Sequence, residues 1–207
     1  MAIRKRKGYG QVERQHMAAP HNGQIYAQLP ALDASDNAIT QLENGQFLKY
    51  DYAHGKATTS GNIEWFLVYN EEKLYDERYQ NHKDFAMLAK DMSDGVIYPR
   101  LLRTFVGDIF TTNTFRTAAT GSGADAVPAA TVTGRDDEIT IPDLAIGDYV
   151  TIDADGWLKG VGTTMPEDDI VFQVVPHFTQ MNLGANATVP AYTLPDKQFA
   201  VKLQRIK

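Results

Sequence analysis

Chemistry needs particular side chains at particular spacings, and this chain offers few. Its histidines are His16, His21, His54, His82 and His177. They form no His-Glu-x-x-His motif, and His16 and His21 lie in the presumed arm, so a zinc site is not expected. Cysteine is absent, which excludes disulfides, thiolate metal sites and a thiol nucleophile. There are four serines, and none stands in Gly-x-Ser-x-Gly; Ser122 lies between Gly121 and Gly123 in a tract of small residues, not at a strand-to-helix elbow. No phosphate-binding glycine loop is present. The sequence Asp153-Ala154-Asp155-Gly156 resembles half of a calcium loop but lacks a third ligand and the distal glutamate. It reads better as the turn of a hairpin between 149–153 and 157–159. The acidic triplets Asp136-Asp137-Glu138 and Glu167-Asp168-Asp169 read as solvated turns flanking strands, with a weak cation site as the other reading. The cofactor and metal expectation is therefore none, and the chain is not expected to be an enzyme.

Charge is unevenly placed. Residues 1–14 carry Arg4, Lys5, Arg6, Lys7 and Arg14 against Glu13 alone, a charge of +4, so with a net charge of −6 the remainder carries −10. A basic arm on an acidic body is drawn to acidic surfaces, another copy's body included. We read 1–22 as an extended arm ordered by a protein partner, with Arg4, Lys5, Arg6, Lys7 and Arg14 as partner-binding residues. Its other readings are a frayed tail, a strand added to a neighbour's sheet edge, or a phosphate contact. The acidity of the body argues against nucleic acid. No apolar stretch is long enough to cross a membrane, and the polar residues after the basic start do not form a signal peptide. An intracellular start is expected.

The elements that must position these residues are mainly β. Short segments rich in β-branched and aromatic residues occur at 46–51, 63–69, 108–111, 138–141, 148–153, 170–175 and 198–205, with turn residues at most boundaries. In the last, Phe199, Val201 and Leu203 alternate with Ala200, Lys202 and Gln204, the pattern of a half-buried strand. The run 65–69 is continuously apolar, as in a strand buried on both faces. Residues 24–29 read as one further strand. Near 81–92, Asn81 is a good N-cap and Phe85, Leu88, Ala89 and Met92 fall on one helical face. One principal α-helix is expected there, and 74–80 either extends it or forms a loop. Segment 117–134 is small and nearly uncharged, a loop or surface insertion. The expected organisation is an arm and first strand at 1–40, a β-rich region with the helix at 41–116, a flexible loop at 117–134 and a C-terminal β module at 135–207. The fold class is mainly β, a sandwich or barrel-like set of modules.

A similarity runs through these modules, read either as a true repeat or as chance, since Gly-x-aromatic-aliphatic is common in β-proteins. Residues 42–51 align without gaps with 144–153, and Gly107-Asp108-Ile109-Phe110 begins a weaker third copy. Each copy has a glycine (Gly45, Gly107, Gly147), then alternating side chains, then Asp or Asn at an exit turn. The glycine supplies a positive-φ turn that starts the strand. Aromatic residues, among them Tyr69, Tyr75 and Tyr79, serve core and interface packing, with a sugar- or base-stacking surface as the other use.

Segment 107–113, the run Leu144 to Val150, Asp155-Gly156-Trp157-Leu158 and the end Phe199 to Lys207 resemble small structural proteins of tailed bacteriophage heads, the decoration or cement proteins. The resemblance covers about 40–60 and 105–207 through short Gly-Asp-led β modules; region 70–103 lies outside it. It implies a β-rich body, an arm that grips neighbours, no catalysis and many copies on the virion capsid surface, made in the host cytoplasm. It implies as partners the major capsid protein and the chain itself, as a homo-oligomer; a trimer suits local threefold positions. The rivals are a phage tail, fibre or carbohydrate-binding β module, and an enzyme built on a carboxylate pair.

Overall fold

The computed structural model describes residues 5–7, 10, 12–18, 27–33, 35–61, 63–70, 86–88, 98–116, 138–140, 144–176, 191–193 and 199–207. The strands are, in chain order, β1 (Lys5–Lys7), β2 (Val12–His16), β3 (Ala27–Gln28), β4 (Gln41–Glu43), β5 (Phe47–Asp51), β6 (Lys56–Thr58), β7 (Phe66–Val68) and β8 (Ala86–Leu88). There follow β9 (Arg100–Leu102), β10 (Ile109–Thr112), β11 (Glu138–Thr140), β12 (Tyr149–Ile152), β13 (Leu158–Gly162), β14 (Phe172–Val174), β15 (Ala191–Thr193) and β16 (Phe199–Arg205).

Two antiparallel sheets make the body. The larger has the order β13-β12-β14-β16-β10-β2, with β15 also paired to β16. The smaller has the order β3-β9-β7-β5-β6. Two further pairs stand apart, β1 with β11 and β4 with β8. Because β10 is hydrogen-bonded to β16, segments from 41–116 and from 135–207 share one sheet.

Side-chain alternation explains the layers. In β16, Val201 and Leu203 turn into a core that also takes Phe110, Val150, Phe172 and Val174 from the larger sheet. The smaller sheet contributes Phe47, Leu67 and Leu102 to the same core. Phe172 joins the two, with ring centroids 5.6 Å from Phe47 and 5.4 Å, edge-on, from Phe110. The opposite faces of the same small-sheet strands hold Leu48, Phe66, Val68 and Leu101. These pack under Ala31 and Leu42, with Leu29 and Ile39 partly buried beside them. The smaller sheet is thus covered on both faces. The continuous apolar run at 66–68 has that cause: Leu67 faces one core, and Phe66 and Val68 face the other.

The helix expected near 81–92 is not seen, and this part of the fold class is corrected. Ala86–Leu88 is strand β8, antiparallel to Gln41–Glu43 with Met87 opposite Leu42. The rest of that segment lies outside the described residues. The physical reason is ambiguity of period. Residues 85–89 are unbroken apolar, so they match a helical face and a strand equally well. The pairing with β4 supplies the backbone hydrogen bonds that a helix would have made internally.

Candidate functional site

Three turns repeat one geometry at the starts of β5, β10 and β12. Gly45, Gly107 and Gly147 have φ of 94°, 98° and 94°, a region that strains any side chain with a Cβ. In each turn the residue after the glycine donates its N–H to the carbonyl three residues back: Gln46 to Glu43 (3.2 Å), Asp108 to Phe105 (2.9 Å), Asp148 to Ala145 (3.1 Å). The side chain of that same residue accepts from the N–H at the turn's first position. Glu43 N donates to Gln46 Oε1 (2.6 Å), Phe105 N to Asp108 Oδ2 (2.8 Å) and Ala145 N to Asp148 Oδ2 (2.7 Å). The glycine N–H then donates to a neighbouring strand, at Val68, Arg205 or Val174, and that residue's N–H returns a bond to the carbonyl of Gln46, Asp108 or Asp148. Each turn therefore starts one strand and ties it to the next.

The surroundings of the three glycines differ. A Cβ at Gly45 would lie 2.5 Å from Thr114 Oγ1 and 2.8 Å from Thr112 Oγ1, whereas nothing lies within 4 Å of one at Gly107 or Gly147. Thr114 Oγ1 donates to the Asn44 carbonyl (2.6 Å), so this turn is packed against the end of β10.

The N-terminal segment meets two of these turns. β2 is antiparallel to β10, with Val12 opposite Thr112, Glu13 opposite Thr111 and Arg14 opposite Phe110. Val12 (3% exposed) and Met17 (1%) enter the shared core. Gly10 N donates to buried Glu43 Oε2 (2.6 Å), and Ala18 N donates to Asp108 Oδ1 (3.0 Å). Two carboxylates thus hold the two ends of the strand, in the manner of charge-assisted caps. Sequence reasoning expects 1–22 to need a partner; here Val12–His16 uses the edge of its own chain. Lys5, Arg6 and Lys7 lie in β1, opposite Thr140, Ile139 and Glu138, while Arg4 lies outside the described residues. Neither Glu43 nor Asp108 stands out in the sequence as an anchor. The signal available was weak: an acid beside an aliphatic residue just before or after a turn glycine.

The other candidate groups separate. Asp153 and Asp155 both accept from the guanidinium of Arg116, so the acidic turn holds an internal cation. Burial disfavours the Arg116 charge, but the two carboxylates outweigh it and raise its pKa. The hairpin expected there is formed by β12 and β13. Among the described residues no group of three or more His, Asp or Glu side chains is placed to hold a metal ion. His54 Nδ1 lies 2.7 Å from Asp51 Oδ2 on the exposed β5–β6 hairpin, and this hydrogen bond holds the Asp51 carboxyl below the usual range. Glu167, Asp168 and Asp169 are exposed, and the last two line a shallow pocket of about 120 Å³ with Lys49, Glu64 and Trp65. The Lys49 ammonium sits 4.6 Å over the Trp65 ring and donates to the Gly61 carbonyl (2.7 Å). Tyr69 is partly buried against the core. His21, His82, His177, Tyr75, Tyr79, Ser122, Asp136, Asp137 and loop 117–134 lie outside the described residues. No helix among the described residues is long and apolar enough to cross a membrane.

Comparison with protein-family models, with curated proteins and with solved structures gave no match.

Proposed function

We propose that this chain is a non-enzymatic structural protein of a bacteriophage virion, decorating the capsid and bridging neighbouring subunits of the major capsid protein. The observation that carries the reading is the anchoring of β2. A short N-terminal strand joins a sheet edge through main-chain bonds, two buried apolar side chains and a carboxylate at each end. Edge addition of this kind needs no cofactor and works between chains as readily as within one. It suits a protein whose task is attachment. The sandwich arrangement of the two sheets, with its turn-to-strand ties, supports a rigid body for such an arm.

The mechanism is linkage. A protein that binds only the assembled shell stabilises that shell against opening. Contacts to several subunits from one oligomer add through effective concentration, so no single contact need be strong. We place the chain on the outer capsid surface as a homo-oligomer, a trimer where the local symmetry is threefold.

The test is to strip the protein from purified particles and compare their rupture on heating or at low ionic strength. Bare particles should rupture first, and adding the chain back should restore them. Equal robustness would refute the cementing role, and finding the chain only in tails would refute capsid attachment.

A second reading, a tail, fibre or carbohydrate-binding module, draws on the pocket beside Trp65. A sugar stacking on the Trp65 face must displace the Lys49 ammonium that covers it, which makes this the weaker of the two.

A further inference from the structure

We propose that β2 is an exchangeable strand, and that the β10 edge of one copy accepts segment 10–18 of a second copy. This rests on the reading above for one thing only, the close spacing of copies on a shell.

Among the described residues, the contacts that hold the segment are with residues far away in sequence. Gly10 is 33 residues from Glu43, and Ala18 is 90 from Asp108. Val12 and Met17 fill places in a core otherwise built by the two sheets and their connecting segments. The acceptor is therefore defined by the body alone: the β10 backbone from Ile109 to Thr112, two apolar seats, and a carboxylate at each end. A segment arriving from another chain finds the same partners at the same distances. Swapping an identical element costs no contact, so the choice between own and neighbouring arm is set by concentration. A tethered arm competes at an effective concentration on the order of millimolar for a short flexible tether. Copies held side by side on a surface reach that range. Charge favours the encounter: residues 1–14 carry +4 and the remaining chain −10 at a net −6.

The absence of cysteine makes the test clean, because any disulfide reports only introduced residues. Glu13 and Thr111 are register partners across β2 and β10. The Thr111 hydroxyl is buried without a partner among the described residues, so Thr111→Cys removes no hydrogen bond there. A chain carrying both Glu13→Cys and Thr111→Cys should close an intramolecular disulfide, which verifies the pairing. Isotopically distinguishable Glu13→Cys and Thr111→Cys chains are then mixed, unfolded in urea, refolded together and oxidised. Peptide mass spectrometry should find the mixed 13–111 disulfide. Its yield should rise about tenfold for a tenfold rise in protein concentration while exchange is sparse. Glu13→Cys mixed with Lys159→Cys, on the far edge strand of the same sheet, measures random collision.

A mixed 13–111 yield no higher than that collision background at any concentration overturns the proposal. So does failure of the double variant to close. Neither result requires particles, so strand exchange can fail while capsid attachment stands, and the stripping experiment can fail while exchange stands.

Discussion

Replacing each of three glycines by alanine separates two costs that usually travel together. Gly147 has φ 94° and open space around its would-be Cβ. Gly147→Ala therefore tests the backbone alone. Holding a left-handed backbone costs about 1–2 kcal/mol, and reduced freedom of the unfolded chain returns about 0.4–1 kcal/mol. The net is a loss of about 1 kcal/mol. Gly45 has the same φ, but its Cβ would stand 2.5 Å from Thr114 Oγ1 and 2.7 Å from Thr114 Cβ. Both are short side-chain atoms close to the backbone and cannot swing away. Overpacking of this kind adds about 1–3 kcal/mol, so Gly45→Ala should lose about 2–4 kcal/mol. Gly156 is tighter again: its Cβ would lie 2.0 Å from the Phe47 carbonyl oxygen, and its own carbonyl accepts from Phe47 N at 2.7 Å. Gly156→Ala must push the β12–β13 hairpin off β5 and should cost at least as much as Gly45→Ala.

The assay is equilibrium urea unfolding followed by the fluorescence of Trp65 and Trp157, with constant m required for comparison. In thermal terms, at about 2–4 °C per kcal/mol for a chain of this size, Gly147→Ala should lower Tm by about 2–4 °C and Gly45→Ala by about 4–16 °C. Valine should cost more than alanine at either glycine. Equal losses for Gly45 and Gly147 would refute the reasoning, because the packing of Thr112 and Thr114 on the first turn would then contribute nothing.

Asp108→Ala should destabilise more than Asp148→Ala, because Asp108 serves Phe105 N and Ala18 N while Asp148 serves Ala145 N. At about 1–3 kcal/mol for each buried donor left unmade, equal losses would argue against the anchoring of segment 10–18. The Asp51 carboxyl, lowered by its hydrogen bond from the His54 side chain, should titrate below an ordinary aspartate in a carbon-detected NMR titration. Its contribution to the hairpin is present above about pH 4, the ordinary aspartate range, and is lost as pH falls through the lowered value. His54→Ala should bring Asp51 back up while leaving Asp33, lowered by the Asn37 N–H, where it is.

What could be read from the residues follows from how much pattern each segment carries. Each of the seven β-rich segments coincides with a strand, β10 running one residue past its segment, and the Val201/Leu203 alternation gives the correct inward face of β16. Gln41–Glu43, Lys56–Thr58 and Arg100–Leu102 escaped because three positions are too few for a period to show, and none of them has the pair of β-branched or aromatic residues that marks the equally short Phe66–Val68 and Phe172–Val174. The helix near 81–92 failed for the opposite reason, an apolar run that satisfies two periods at once. The arm was legible as basic and poor in apolar residues. Two buried side chains, Val12 and Met17, are enough to seat it, and no periodicity marks a pair five residues apart. Nor does a sequence reveal that a glutamate will be buried. Glu43 is 1% exposed because Gly10 N and Gln41 Nε2 both donate to it. Those partners meet only once β4, β5 and the arm are in place.

The three turns share a scaffold but not a use, and the difference bears on attachment. In all three, the side chain after the glycine closes the turn on itself. Gln46 and Asp148 stop there among the contacts described, while Asp108 turns its second oxygen to Ala18 N. At the first turn the spare acceptor is Glu43, one position before Asn44, and it takes Gly10 N. An amide at 46 in place of an aspartate leaves the carboxylate at 43 as the acid of that turn. The segment's two ends are therefore held by acids from two different copies of one motif, one in each sheet system: Glu43 in the β4–β8 pair and Asp108 before β10. A strand held this way ties the ribbon of β4 to the edge of the large sheet. Withdrawal of the segment leaves both turns intact, since each keeps its own internal hydrogen bond. The two turns that carry the acceptor acids thus close without help from the segment, which is the property that the proposed exchange requires.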